Sequence, residues 1–254
     1  MISISLNNRS YAHPTTWDEL TGAQLVAILD TLRKDWPADR QRLQLLKILT
    51  GMSAWRFWTT DVMQMDEFFY LQQFLEEQNA LTKNLIPSYE GYYGPADNFG
   101  NLVVSEYIFT ESHYTLYREH DSLTDLNCLI AVMYRPGKRS YDFRLNPEGD
   151  TRVPFNDNLV GYHAQYIQKW PMSIKLAILH WYEGCRNNLI NQYPDIFGGG
   201  AGQPAKRGIL SIAVSMAETG TFGSFEKVEK LLLHTFMIGI SEQIDKAKQL
   251  PKTA

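Results

Sequence analysis

A stretch rich in proline, glycine and aromatic residues separates two parts of the chain that both have helical patterns. It covers residues 84–102 and reads NLIPSYEGYYGPADNFGNL, with neither the 3.6-residue period of a helix nor the two-residue period of a strand. Pro95 has no backbone N–H to donate, and the glycines adopt backbone angles that other residues avoid. The stretch is therefore predicted to be an ordered, non-repetitive loop.

The aromatic side chains of this loop either fill a groove between the two helical parts or remain partly exposed and bind a partner. Aromatic residues make up 13% of the chain, and a high content of Tyr and Trp is typical of proteins that contact other proteins, although an aromatic core explains it equally well. The candidate partner-binding residues are Tyr89, Tyr92, Tyr93, Pro95 and Phe99.

Residues 1–13 are predicted to form a small β-hairpin. Apolar and polar residues alternate from Ile2 to Leu6, and Asn7 and Asn8 tolerate the backbone angles of a tight turn. Because two isolated strands are only marginally stable, the hairpin either packs on helices of its own chain or joins the sheet of a partner.

Most of the remaining chain has apolar residues at helical spacing, separated by capping residues, prolines and glycines. The predicted fold is mainly α, a multi-helix globular domain with the N-terminal hairpin, in one compact domain over residues 1–254. Residues 135–155 form a second predicted ordered loop and residues 198–204 a flexible glycine-rich loop. The predicted helices cover residues 22–34, 37–50, 61–81, 103–120, 126–134, 155–169, 172–193, 205–218 and 225–250.

The composition argues against two classes of partner. The formal net charge is -4 and no long run of Lys or Arg is present, whereas nucleic-acid binding normally requires a concentrated basic face. No apolar run approaches the ~20 residues of a membrane-spanning helix. We therefore expect a cytoplasmic protein that binds neither nucleic acid nor membrane.

The candidate chemical motifs are weak. The six histidines lack the spacing of known metal sites, and His180 with Glu183 supplies too few ligands, so no metal or other cofactor is predicted. Lys206 and Arg207 follow a glycine-rich segment and are candidate anion-binding residues, but the segment does not match the phosphate-binding motif GxxxxGK[ST]. No nucleophile-elbow motif GxSxG is present.

Several segments together resemble a group of largely uncharacterised proteins that tailed bacteriophages and prophages encode in their tail-morphogenesis gene block. The segments are PTTWDELTGAQL at 14–25, LLKILTGMS at 45–53, IPSYEGYYGPADNFGNL at 86–102, VMYRP at 132–136, and LHWYEGCRNNL with YPDIFGGG up to residue 200. The resemblance implies a virion structural part or an assembly chaperone that shields a long hydrophobic partner such as a tape-measure protein. It implies no catalytic residues.

The sequence therefore predicts a non-enzymatic assembly or tail-associated protein that binds another virion protein, with a homo-oligomer as a further expectation. The alternative is a small-ligand or phosphate-handling enzyme that uses Lys206, Arg207 and a histidine such as His180.

Overall fold

The computed structural model describes residues 1–6, 9–141, 149–198 and 208–249. The chain divides into two compact units. Unit 1 comprises Met1–Ile86 and Pro171–Cys185, and unit 2 comprises Pro87–Trp170 and Arg186–Ala254. That the whole chain is one domain stays a prediction.

Helices dominate both units, which confirms the predicted mainly α fold. The α-helices are α1 (Gly22–Leu32), α2 (Ala38–Thr50), α3 (Ala54–Thr59), α4 (Val62–Asp66), α5 (Val104–His120), α6 (Leu123–Met133), α7 (Val160–Ile167), α8 (Met172–Gln192), α9 (Pro194–Phe197), α10 (Ile209–Glu218), α11 (Phe225–Val228) and α12 (Leu233–Gln249). Short 3-10 helices cover Trp17–Glu19, Phe69–Leu75, Asp97–Phe99 and Asp157–Leu159. The strands are β1 (Ile2–Leu6), β2 (Arg9–His13), β3 (Ser88–Tyr89), β4 (Tyr92–Tyr93) and β5 (Arg135–Pro136).

The predicted N-terminal hairpin is confirmed. Strands β1 and β2 pair antiparallel, with Ile4 opposite Tyr11. Ile4 and Leu6 point into the core of unit 1, where they belong to one buried cluster with Leu46, Met52, Phe57 and Met65. Of the two alternatives for the hairpin, the structure therefore shows packing on helices of its own chain.

Capping residues fix the ends of α1 and α2 as the sequence indicates. Thr21 and Gln24 form a reciprocal capping box at the start of α1. Gly51 ends α2 in a left-handed conformation with φ of 64°, which costs glycine little because it has no Cβ.

The predicted long helix over residues 61–81 is wrong. Asp61 does cap a helix, since its carboxylate accepts the backbone N–H of Met63, but that helix is the short α4. A 3-10 helix follows at Phe69–Leu75. The apolar residues recur every three positions at Met65, Phe68 and Leu71, a spacing that suits the three-residue turn of a 3-10 helix better than an α-helix.

The predicted last helix over residues 225–250 is also wrong, because it is interrupted between α11 and α12. The interruption is explained by backbone pairing with the start of α5. The N–H groups of Val104 and Ser105 donate to the carbonyls of Leu231 and Glu229, and Leu233 N–H donates to the carbonyl of Leu102. The first N–H groups of a helix lack partners within it, so this segment satisfies donors that a continuous helix would leave unpaired.

A second, three-stranded sheet in unit 2 joins the two predicted ordered loops. Strands β3 and β4 form a hairpin inside residues 84–102, and β4 pairs with β5 at the start of residues 135–155. Glu90 and Gly91 form its two-residue turn, both with positive φ (46° and 80°), as in the turns that suit tight hairpins. Residues 142–148 of the second loop, and residues 199–204 of the glycine-rich segment, lie outside the described residues.

Candidate protein-binding surfaces

The five aromatic-loop residues predicted to bind a partner differ in exposure. Phe99 is 1% exposed and Pro95 is buried, so both belong to the interior of unit 2. Tyr89 and Tyr92 are half-buried, whereas Tyr93 is 40% exposed. A partner-binding role stays a prediction for this loop. Tyr93 has the most exposed side chain of the five.

Tyr89 and Tyr92 pack against side chains of the segment that includes α7. The ring of Trp170 lies edge-on to both, with centroid distances of 5.0 Å to Tyr89 and 5.7 Å to Tyr92. The Tyr92 hydroxyl is hydrogen-bonded to Nδ1 of His163 at 3.0 Å. Burial, together with the positive field of Arg135, lowers the pKa of His163, which favours the neutral imidazole.

The loop backbone is strained where it turns towards α5. Asn98 and Phe99 both have positive φ (50° and 58°), and each such residue costs on the order of 1–3 kcal/mol. Surrounding groups hold this conformation: Nε2 of His234 donates to the Asn98 carbonyl at 2.7 Å, and the Asn188 amide donates to Asn98 Oδ1 at 2.8 Å. The Phe99 ring packs edge-on against Tyr107. These contacts fix the backbone of residues 98 and 99 within unit 2.

Two further tyrosines, which the sequence analysis did not single out, add exposed aromatic surface in unit 2. Tyr162 and Tyr166 are 53% and 43% exposed, and their hydroxyls are hydrogen-bonded at 2.8 Å. Burial, with a smaller contribution from these two neighbours, raises the pKa of Tyr92. The four-residue spacing of Tyr162 and Tyr166 on a predicted helix was the signal that could have found them.

A buried charge network lies behind the start of α5. The Glu106 carboxylate accepts from the guanidinium groups of Arg135 and Arg152, and Arg152 forms a two-point interaction with Asp150 at 2.8 and 2.9 Å. All but Asp150 are at most 3% exposed. Although burial raises the pKa of Asp150, its hydrogen bonds to Arg152 and the attraction of both arginines outweigh burial and lower that pKa.

The network is electrically balanced, and each guanidinium nitrogen of Arg135 and Arg152 makes at least one hydrogen bond. Two carboxylates compensate two guanidinium groups, which remain protonated. The arginine N–H groups that do not contact carboxylates donate to backbone carbonyls, those of Val132, Val153, Met133 and Asn101. These contacts hold both guanidinium groups in place within unit 2.

A groove in unit 2 is lined partly by this network, through Glu106, Arg135 and Asp150, and partly by apolar side chains. Its first part has a volume of about 830 Å³ and lies between α5, residues 150–159 and residues 229–230. A second part of about 460 Å³ continues towards α10 and α11. Four residues line both parts and mark their junction: Ser105, Phe109, Asp157 and Glu229.

In unit 1, helix α3 presents two tryptophans to solvent. Trp55 and Trp58 are 75% and 78% exposed, and their three-residue spacing places them on one face of the helix. Phe57 is 4% exposed and holds the opposite face in the buried cluster of unit 1. We call Trp55 and Trp58 the tryptophan surface. The sequence shows three aromatics in this helix but not which of them are buried.

Of the residues predicted for the enzyme alternative, the structure describes only His180. Lys206 and Arg207 lie outside the described residues. His180 belongs to unit 1, where its ring lies 4.3 Å from that of Trp17 and burial lowers its pKa to about 4. Within the described part of the chain, no group of three His, Cys, Asp or Glu side chains could hold a metal ion.

No helix among the described residues is long and apolar enough to cross a membrane. Comparison with known proteins adds no assignment, because no protein-family model, curated protein or solved structure matches this chain.

Proposed function

We propose that this chain is a non-enzymatic assembly protein of phage type that binds another protein through the tryptophan surface. The single observation that carries the proposal is the exposure of Trp55 and Trp58 on one face of a short helix. Tryptophan is strongly enriched among the residues that dominate the binding energy of protein interfaces. Its large apolar area also makes exposure unfavourable in a protein that stays alone in water.

The two tryptophans can contribute a substantial part of the binding energy of an interface. Burying each tryptophan contributes roughly 2–3 kcal/mol at about 25 cal/mol per Å² of apolar surface. Because Phe57 already anchors α3 in the core, the helix is held in place before a partner arrives. A fixed binding helix loses less conformational entropy on association than a flexible one.

The resemblance to tail-morphogenesis proteins supplies the class of partner. We propose a tail-associated component or a tail assembly chaperone that acts in the cytoplasm of a bacterial host, and a partner that is a tail or other virion protein. Met63 and Tyr70, which follow α3 in the chain, are 79% and 68% exposed and support an extended contact in the same part of unit 1.

The test is co-expression of the tagged chain with the tail proteins of the same phage or prophage. Partners are quantified by mass spectrometry and the complex mass by light scattering. We expect the double variant Trp55→Ala, Trp58→Ala to lose at least nine-tenths of the captured partner while its unfolding transition stays unchanged. Tyr162→Ala, an exposed aromatic in unit 2, serves as the control. Equal capture by wild type and the double variant would refute this binding surface.

The enzyme alternative stays a prediction with its own test. Thermal-shift measurements with nucleotides, inorganic phosphate and divalent cations would show a ligand-dependent rise in melting temperature if it were correct. We expect none.

A further inference from the structure

From the groove in unit 2, we infer that this chain has a second binding site, which takes an amphipathic polypeptide segment carrying large apolar residues and at least one Lys or Arg. The inference concerns a surface separate from the tryptophan surface. It rests on the proposed function only in choosing a polypeptide over a small molecule as the occupant.

Apolar side chains form part of the groove wall and reach the surface. Phe109 and Phe155 form a pair with ring centroids 5.4 Å apart, and both line the first part. Leu159 at one end and Leu210 at the other are 44% and 51% exposed. An apolar groove with solvent-exposed walls is typical of a site where an amphipathic helix inserts its apolar side chains.

The junction of the two parts is acidic. The carboxylates of Asp157 and Glu229 flank it, and within the described residues neither is ion-paired. The charges of the neighbouring network cannot neutralise them, because Arg135 and Arg152 are already compensated by Glu106 and Asp150.

The charges at the junction indicate which kind of molecule the groove binds. At the junction, the carboxylates of Asp157 and Glu229 disfavour nucleotides, phosphates and fatty-acid headgroups and attract a cation, although Arg135 and Lys230 also line the first part of the groove. A Lys or Arg has a long apolar stem and a charged end, so it can lie along Phe109 while its charge reaches Asp157 or Glu229. Two connected parts also suit a segment with two apolar anchors better than one compact ligand.

Lys230 lines only the first part of the groove and sets a direction for binding. Its charge disfavours a second cation in the first part, whereas the carboxylates at the junction attract one. The basic residue of the bound segment therefore lies at the junction, with an apolar anchor on either side of it.

The test uses two fluorescein-labelled 14-residue synthetic peptides with identical Leu and Phe at helical spacing. Their polar positions are Lys in one peptide and Glu in the other. Fluorescence anisotropy with the full chain at moderate salt should show at least tenfold tighter binding of the Lys peptide. The double variant Asp157→Asn, Glu229→Gln should reduce this preference to less than threefold. The matched control Glu119→Gln, Glu218→Gln removes the same charge from exposed positions and should keep it.

A further variant tests the apolar wall. Leu210→Ser should weaken binding of both peptides at least fivefold, with no change in the unfolding transition because Leu210 is half exposed. Equal affinity for the two peptides, or a preference that survives the loss of Asp157 and Glu229, would overturn the inference. A dimer that Leu210→Ser dissociates in light scattering would assign the groove to a second copy and also overturn it.

The same assay separates this inference from the proposed function. The variant Trp55→Ala, Trp58→Ala should bind the Lys peptide as wild type does, since the tryptophan surface lies in unit 1. Failure of peptide binding with intact partner capture would refute the groove alone, and the opposite result would refute the tryptophan surface alone.

Discussion

The hydroxyl of Tyr92 and Nδ1 of His163 are hydrogen-bonded at 3.0 Å, and their rings meet edge to face at 5.5 Å. The contact between Tyr92 and His163 links strand β4 to helix α7 inside unit 2. The sequence suggested Tyr92 as a free contact for a partner, yet its polar end is engaged within the fold.

Replacing Tyr92 with Phe should lower the free energy of unfolding by about 0.5–1.5 kcal/mol, because the hydrogen bond to His163 is lost while the ring remains. Tyr93→Phe is the matched control and should change stability by less than 0.5 kcal/mol, roughly the effect of a surface substitution. Urea unfolding followed by circular dichroism measures both. Equal effects of the two variants would contradict a structural role for the Tyr92 hydroxyl.

Replacing Glu106 with Gln should strongly lower the free energy of unfolding. The change leaves Arg135 and Arg152 buried without their shared carboxylate, and removal of one partner from a buried ion pair costs roughly 3–5 kcal/mol. The control Asp245→Asn removes an exposed carboxylate 3.8 Å from Lys248 and should cost at most about 1 kcal/mol. Chemical denaturation compares the two, and a loss below 1 kcal/mol for Glu106→Gln would show that the network is dispensable.

His180 should make stability depend on pH. Because burial lowers its pKa to about 4, the unfolded chain takes up a proton below about pH 6.5 that the folded chain does not. The free energy of unfolding therefore falls as the pH drops from about 6.5 to about 4.

His180→Phe removes the group that takes up this proton. The slope of the free energy of unfolding against pH should therefore fall by up to about 1.4 kcal/mol per pH unit in that interval. Burial also lowers the pKa of His13 and His163, so part of the slope persists. Unfolding curves at pH 7.0, 5.5 and 4.5 measure this pH dependence. If the free energy of unfolding of His180→Phe changed with pH as in wild type, the role assigned to His180 would be wrong.

Gly184 should not tolerate a side chain. A Cβ at this position would lie 2.3 Å from the carbonyl oxygen of Leu81, a backbone atom that cannot move aside. Gly184→Ala should therefore cost at least 1–3 kcal/mol, as is typical of overpacking. Gly161→Ala in α7 meets nothing within 4 Å and should stabilise the helix by roughly 0.5–1 kcal/mol. If the melting temperatures of Gly184→Ala and Gly161→Ala changed in the same direction, the close approach of Gly184 to the Leu81 carbonyl would be excluded.

The elements that the sequence predicted well are those with local signals. The Thr21–Gln24 capping box and Gly51 bound α1 and α2 where the pattern placed them, and the hairpin followed from strict alternation. The errors arose where distant residues decide the backbone. The break before α12 depends on pairing with residues 102–105, and β3, β4 and β5 have only two residues each, too few for a periodic pattern.

The candidate surfaces were only partly visible in the sequence. The density of aromatic residues in residues 84–102 is real, but composition does not reveal that Phe99 is buried and Tyr93 exposed. For α3 the aromatic residues are evident in the sequence, but their orientation is not, because it depends on Phe57 reaching the core of unit 1. The groove joins side chains from residues 103 to 230, so no local pattern could indicate it.

The backbone pairing at the start of α5 has a consequence for how the protein is made. The N–H groups of Val104 and Ser105 find their acceptors only at Leu231 and Glu229, more than one hundred residues later in the chain. A ribosome exposes α5 long before it has synthesised those acceptors. During translation these N–H groups therefore lack their native acceptors until residues 229–231 have been synthesised, and unit 2 cannot complete its native contacts before then.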